Sequence, residues 1–184
     1  DLCCGMAFSS KGYTKSSGSI QGMLIDQMKK AYRKYKVPII IDMSPCTETL
    51  RKSMNFEQIK IMDSMDFLNT IKSKLSIKKL NLSCYVHSVC SDQSAGDTSM
   101  IHSITQNCVE DIEGEKEAFC CGMGGDRGLK YPELTKNSIS RSVKFPLKST
   151  IGVSSSRTCE IALRNELGIE FISIEALVYR SLKN

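Results

Sequence analysis

Cysteine carries the chemistry most visible in this sequence. Two adjacent thiols followed by glycine occur twice, in CCGMAFSSKGY at residues 3–13 and in CCGMGGDRGL at residues 120–129. Each copy has a basic residue and a further glycine downstream. Neighbouring cysteines bond to each other only with strain, whereas two thiolates on a turning backbone can both face one metal centre. The chain has 9 cysteines, an odd number that fits a closed disulfide framework poorly. Metal ligation is therefore the chemistry expected of Cys3, Cys4, Cys120 and Cys121.

More distant cysteines extend both pairs. Cys46, in DMSPCTETL, follows the first CCG after 40 residues, and Cys159, in SSSRTCEIAL, follows the second after 36. A leading cysteine, Cys90 in HSVC, precedes the second pair by 29 residues. Ligands so far apart in the chain must come from different loops, and in an α/β sheet such loops gather beyond the carboxyl ends of the strands. Gly122, Gly124, Gly125 and Gly128 would let the backbone crowd a metal and aim N–H groups at sulfur or at an anion. Gly122 and Gly125 are accordingly candidate cofactor-binding residues. Arg127 joins them as a possible contact to an anionic partner, although for Asp126, Arg127 and Lys11 local salt bridging is the favoured reading.

The elements that must position these groups alternate. Ile20, Met23, Leu24, Met28, Ala31 and Tyr35 follow a helical period, and VPIIID at residues 37–42 reads as a buried strand. A helix is expected from Thr47 onward, and another carries Phe67, Leu68, Ile71 and Leu75 behind acidic Asp63 and Asp66. Residues 79–88 read as a strand, Met100–Cys108 as a helix and AFCC at 118–121 as a strand. A helix should run from Pro132 to about Val143, followed by a strand at 149–155 and a helix closed by Gly168. EFISI and EALVYRSL supply a last strand and helix. This pattern predicts an α/β fold of two pseudo-repeated halves, residues 1–78 and 79–184, with largely parallel sheets flanked by helices.

Composition narrows the class. A chain of 184 residues with 41% hydrophobic and 24% charged residues can bury a sizeable core. The net charge of +5 comes from scattered lysines and arginines without interleaved aromatics, which reads as solvated surface and not as a nucleic-acid platform. No apolar stretch reaches the ~18 residues needed to span a bilayer, and no leader opens the chain, so a cytoplasmic protein is expected. An opening at Asp1, with a motif two residues in, suggests a piece of a longer protein.

The order of motifs resembles the cysteine-rich CCG domain found in pairs in the B subunit of heterodisulfide reductase, in lactate-utilisation proteins and in glycolate oxidase iron–sulfur subunits. CCGMAFSSKGY, SPCTETL, CCGMGGDRGLKYPELT and SSSRTCEI are most similar to the C-terminal part of the large D-lactate dehydrogenases that carry FAD and iron–sulfur clusters. The resemblance spans essentially the whole chain. It implies metal ligation by Cys90, Cys120, Cys121 and Cys159, a complete set for a four-iron cluster or a tetrahedral zinc. It implies an incomplete set, Cys3, Cys4 and Cys46, in the first half, whose leading cysteine would precede Asp1. Upstream FAD-binding and ferredoxin-like domains would be partners, with a quinone or cytochrome as acceptor and a location in the cytoplasm or peripheral at the inner membrane. Heterodisulfide-reductase domains end in CxxC, whereas Met43 and Ser156 stand three residues before Cys46 and Cys159, which counts against a five-cysteine double cluster. A zinc-stapled or metal-free assembly module, or a disulfide reductase subunit, is the alternative function.

The remaining candidates have plainer readings. Cys84 and Cys108 fall on apolar stripes and are expected to be small buried hydrophobes. His87, three residues before Cys90, is read as a structural histidine with satisfied nitrogens, ahead of hydrogen bonding to the site or ligation. His102 is expected on a helix surface.

Overall fold

The computed structural model describes residues 2–53, 59–91, 98–115 and 117–182. The chain is mixed α/β and packs as two compact units, Asp1–Ser64 and Met65–Asn184.

In the first unit, α1 (Met6–Ser9) and the long α2 (Thr14–Tyr35) lead to β1 (Ile39–Ile41), α3 (Ser44–Ser53) and β2 (Ile61–Asp63). β1 and β2 pair in parallel, Ile39 opposite Ile61 and Ile41 opposite Asp63. The apolar stripe of α2 is used as its period predicts: Met28, Leu24, Ile25 and Tyr32 pack with Leu50, Ile59, Ile39, Ile41 and Cys4 in one core. Continuation of α3 beyond Ser53 falls on residues 54–58, outside the described residues. The strand β2 is an addition to the sequence reading, which has nothing between the helix from Thr47 and the one at Phe67.

The second unit opens with α4 (Ser64–Ile71) and a single 3₁₀ turn, then β3 (Leu80–His87), α5 (Ser99–Cys108), β4 (Val109–Glu113), α6 (Arg127–Lys130), α7 (Pro132–Ser142), β5 (Ile151–Ser154), α8 (Arg157–Leu167), β6 (Glu170–Ser173) and α9 (Ile174–Ser181). Division by packing comes after Ser64 instead of after residue 78, because Met65, Leu68, Leu75 and Ile77 belong to the core of this unit. All strands of its sheet pair in parallel, in the order β4-β3-β5-β6.

Parallel register puts paired residues on the same face, so alternation along β3 sorts the core into two. Cys84 and Val86 lie with Ile151 and Val153 under α5 and α9 (Ile101, Ile104, Cys108, Ile174, Leu177). Tyr85 lies on the other face under α7 and α8, with Ile139, Val143, Ala162 and Leu163. Cys84 and Cys108 are fully buried in the first of these layers, as expected of small hydrophobes, and burial pushes the Cys84 thiol up to about 12. On the second face Phe171 lies edge-on to Tyr85, with ring centres 6.2 Å apart. Its ring occupies the space a Cβ on Gly152 would need, so glycine is what lets this aromatic pair form.

The expected strand at 118–121 is absent. AFCC is irregular chain, and the sheet partner of β3 is Val109–Glu113, directly after α5. Four apolar residues in a row suggest a strand, but the chain must turn sharply at Gly122 (φ 79°), and Val-Glu-Asp-Ile-Glu hides its pairing capacity behind charge. His102 is half-buried and its Nε2 is enclosed without a hydrogen bond, so the helix-surface expectation is corrected. Among the described residues no helix is long and apolar enough to cross a membrane.

Candidate functional site

The strand order of the second unit reverses between β3 and β5, the place where open α/β sheets form a crevice beyond their carboxyl ends. Cys90 follows β3 by three residues, and Cys159 is the third residue of α8, directly after β5. The loop leaving β4 brings Cys120 and Cys121 to the same place. The sulfurs of Cys121 and Cys159 stand 2.9 Å apart. Cys90 is tied to Cys120 by a thiol hydrogen bond and also feels the charge of Cys121. All four predicted thiols therefore share one locality.

A single turn holds the pair. The Gly122 N–H points at Cys120 Sγ, 3.4 Å away, and Ser138 Oγ on α7 donates to the Cys120 carbonyl. Gly122 has a left-handed φ, and a Cβ there would run into the backbone of Leu134 and Thr135. Here glycine is needed both for the turn and for the close approach of α7. Gly125 also has a left-handed φ, whereas Arg127 is exposed at the start of the four-residue α6. Among the described residues, no hydrogen bond joins Arg127 to the thiols.

The first unit repeats this turn on its own. The Gly5 N–H points at Cys3 Sγ, again at 3.4 Å, and Gly5 has φ 81°. Helix α2 plays the part of α7: Ser17 Oγ donates to the Gly5 carbonyl at 2.9 Å and Gln21 Nε2 donates to the Cys4 carbonyl at 3.1 Å. A Cβ on Gly5 would come within 2.7 Å of Ser17 Oγ. Cys46, the third residue of α3 as Cys159 is of α8, has its sulfur 3.1 Å from that of Cys4. Cys3 hydrogen-bonds Cys4 and acts through its charge on Cys46.

Each pair divides its protons unequally. The hydrogen bond from Cys46 holds the Cys4 thiol down to about 6 against the opposing effect of burial, and that from Cys90 holds Cys120 down to about 6. Cys121 is lowered likewise by Cys159. The partners Cys46, Cys90 and Cys159 are raised, first by these same hydrogen bonds and then by burial. Metal ligation requires each ligating thiol to lose its proton, a step these hydrogen bonds favour at Cys4, Cys120 and Cys121. The first turns of α3 and α8 add backbone N–H groups that favour negative sulfur at Cys46 and Cys159 once their protons leave.

Among the described residues no group of three or more His, Cys, Asp or Glu side chains is already arranged to close around a metal ion. The donor chemistry nonetheless fits a thiolate-bound centre. With zinc–sulfur bonds of about 2.3 Å, tetrahedral geometry separates sulfurs by roughly 3.8 Å. Inserting an ion would replace the shared protons and spread the 2.9 Å pair of Cys121 and Cys159 by side-chain rotation.

One residue of the site was undervalued from sequence. His87, the last residue of β3, is 1% exposed and neither ring nitrogen has a hydrogen-bond partner. Its ring lies edge-on to Phe119, centres 4.6 Å apart, next to Cys120 in the chain. Burial holds its pKa down to about 4. A satisfied structural histidine is therefore not what the fold contains. Tyr85, two residues back on the same strand, also buries a hydroxyl without a partner. The HxxC spacing was legible, but only the packed structure shows the nitrogens to be unsatisfied.

The chain matches no protein-family model and no curated protein sequence. The functional reading rests on the residues and their arrangement.

Proposed function

We propose that this chain is the iron–sulfur electron-transfer part of an FAD-dependent D-2-hydroxy-acid dehydrogenase of the D-lactate type. In this reading it receives electrons from flavin in upstream FAD-binding and ferredoxin-like domains and passes them toward a quinone or cytochrome acceptor. The work would take place in the cytoplasm or peripherally at the inner membrane. The observation that carries the electron-transfer reading is the thiol turn made twice, with Gly5 and Gly122 aiming an N–H at Cys3 and Cys120 and a distant helix N-terminus bringing Cys46 and Cys159 to the pair. The D-2-hydroxy-acid assignment comes from the sequence resemblance alone.

Cys90, Cys120, Cys121 and Cys159 would hold the centre of the second unit, and Cys3, Cys4 and Cys46 would supply three ligands in the first. An iron–sulfur cluster supplies one-electron transfer when bound. The protein contributes thiolates, a glycine turn that admits the backbone, and N–H donors that raise a cluster's potential by stabilising its reduced, more negative form.

The test is anaerobic reconstitution of the chain with iron and sulfide, followed by iron, sulfide and zinc analysis and EPR. The expected result is a brown protein with one four-iron signal abolished by Cys159→Ser and by Cys90→Ser. The isolated chain should not oxidise D-lactate. A colourless protein with stoichiometric zinc would replace this reading with a second one, a zinc-stapled assembly module, which the compact 2.9 Å and 3.1 Å sulfur pairs favour. A protein that takes up neither metal but cycles its thiols with a disulfide substrate would point to a disulfide reductase subunit.

A further inference from the structure

We propose that His87 is a positioning residue of the thiol site: a buried neutral imidazole whose N–H is held in reserve to hydrogen-bond a sulfur of the metal-bound centre. The inference rests on the reading of Cys90, Cys120, Cys121 and Cys159 as one ligand set.

Buried polar groups in folded proteins are almost always paired, and one left unpaired weakens the fold. His87 breaks that rule at both ring nitrogens while being 1% exposed at the end of β3. Its location is specific. Register pairs it with Ser154, so it stands at the carboxyl ends of the two strands that flank the crevice. By alternation it shares a face of β3 with Tyr85, which packs in one cluster with Val89, Cys121 and Cys159. Phe119 closes one side of the ring and leads directly into Cys120. Cys90 follows three residues later.

The thiols beyond Phe119 are the partner we infer. Phe119 offers no acceptor, and the Tyr85 hydroxyl is itself without a partner. The thiols of the same cluster are the groups that gain negative charge when a metal displaces their protons. An N–H directed at such a sulfur lowers the cost of that charge in a water-free place and fixes the orientation of the ligand. Because burial keeps the ring uncharged near neutral pH, it presents one donor and one acceptor and adds no charge of its own. A partner supplied only on metal binding would explain why none is present among the thiols alone.

Cobalt(II) titration of the full chain under reducing, anaerobic conditions tests this, because thiolate-to-cobalt absorption reports sulfur ligation without any enzymatic assay. The wild type should develop the band. His87→Phe and His87→Leu should bind cobalt at least about tenfold more weakly, within the range known for residues that support metal ligands, while their metal-free thermal midpoints stay at or above that of the wild type. His87→Asn or His87→Gln should recover affinity, since their amide nitrogens overlap one or the other ring nitrogen, and whichever recovers identifies the donor. Unchanged cobalt affinity in both apolar variants overturns the proposal and leaves the ligand set standing. So does a marked fall in the metal-free midpoint of both, which would make the histidine an ordinary structural one. Absence of the thiolate band in the wild type overturns the ligand set, and the role of His87 with it.

Discussion

His87 makes the pH dependence of stability calculable. In the unfolded chain it takes up a proton near pH 6.5, whereas burial in the fold delays protonation to about 4. Between these values the unfolded state binds more protons, so stability is full above pH 6.5, falls as the pH drops, and levels off below about 4. At pH 5 the difference amounts to about 2 kcal/mol, from 1.36 kcal/mol per unit over the 1.5 units below the unfolded value. Carboxylates and thiols also titrate in this range, so the comparison must be with His87→Phe, in which their contributions recur and the imidazole's does not. Urea unfolding of the metal-free protein, followed by far-UV circular dichroism at pH 7.5, 6 and 5, gives the two curves. The variant should gain about 2 kcal/mol on the wild type between pH 7.5 and 5. Parallel curves would show that the histidine is protonated as readily in the fold as outside it. They would refute the claim that it is a sealed, neutral ring.

Other expectations follow from the turn and the sheet. Gly122→Ala should destabilise the second unit by about 3 kcal/mol, combining a left-handed backbone with a collision against the Leu134 carbonyl, and should abolish cobalt binding there; denaturant midpoints and the cobalt band check both. Exposed Cys120 should be alkylated by iodoacetamide in the metal-free protein with a midpoint near pH 6, where an ordinary thiol reacts only near 8.5, as mass spectrometry of the labelled peptide would show. Cys90→Ala removes the donor that lowers it and should move that midpoint upward. Gly152→Ala should cost about 1–3 kcal/mol by pushing on Phe171, with most of the loss recovered in the double variant carrying Phe171→Leu.

Periodicity served the regular elements well for a physical reason. Helices such as Thr14–Tyr35 and Arg157–Leu167 bury one stripe each, and strands such as Ile151–Ser154 are buried on both faces, so the apolar pattern repeats what packing requires. It failed where backbone pairing does not depend on apolar side chains. Val109–Glu113 joins the sheet edge beside β3 with glutamates and an aspartate among its side chains, because an edge strand needs only one neighbour for its backbone. AFCC failed in the opposite sense. Phe119 and Cys121 are apolar because the turn packs them with Val89, Met123 and Ile139, not because they extend in a sheet.

The site divides in the same way between what spacing shows and what only packing shows. Spacing can say that Cys120, Cys121 and Cys159 belong together, since two CCG words with a later cysteine recur at similar separations. It cannot say what supports them. Different residues meet the same need in the two units: Ser17 and Gln21 of α2 bind the carbonyls of the first turn, whereas Ser138 of α7 binds that of the second. Those supports share no motif because a carbonyl can be satisfied by any donor a helix presents at the right height. The glycine is invariant between the units because no other residue combines a left-handed φ with a helix backbone against its Cα. The distant thiols recur too: Cys46 and Cys159 each hydrogen-bond the buried member of their pair. The second unit carries Cys90 three residues beyond β3 and a histidine sealed at that strand's end. By the physics of unpaired buried groups, replacing that histidine should change how tightly the second site holds a metal and leave the first unit's site as it was.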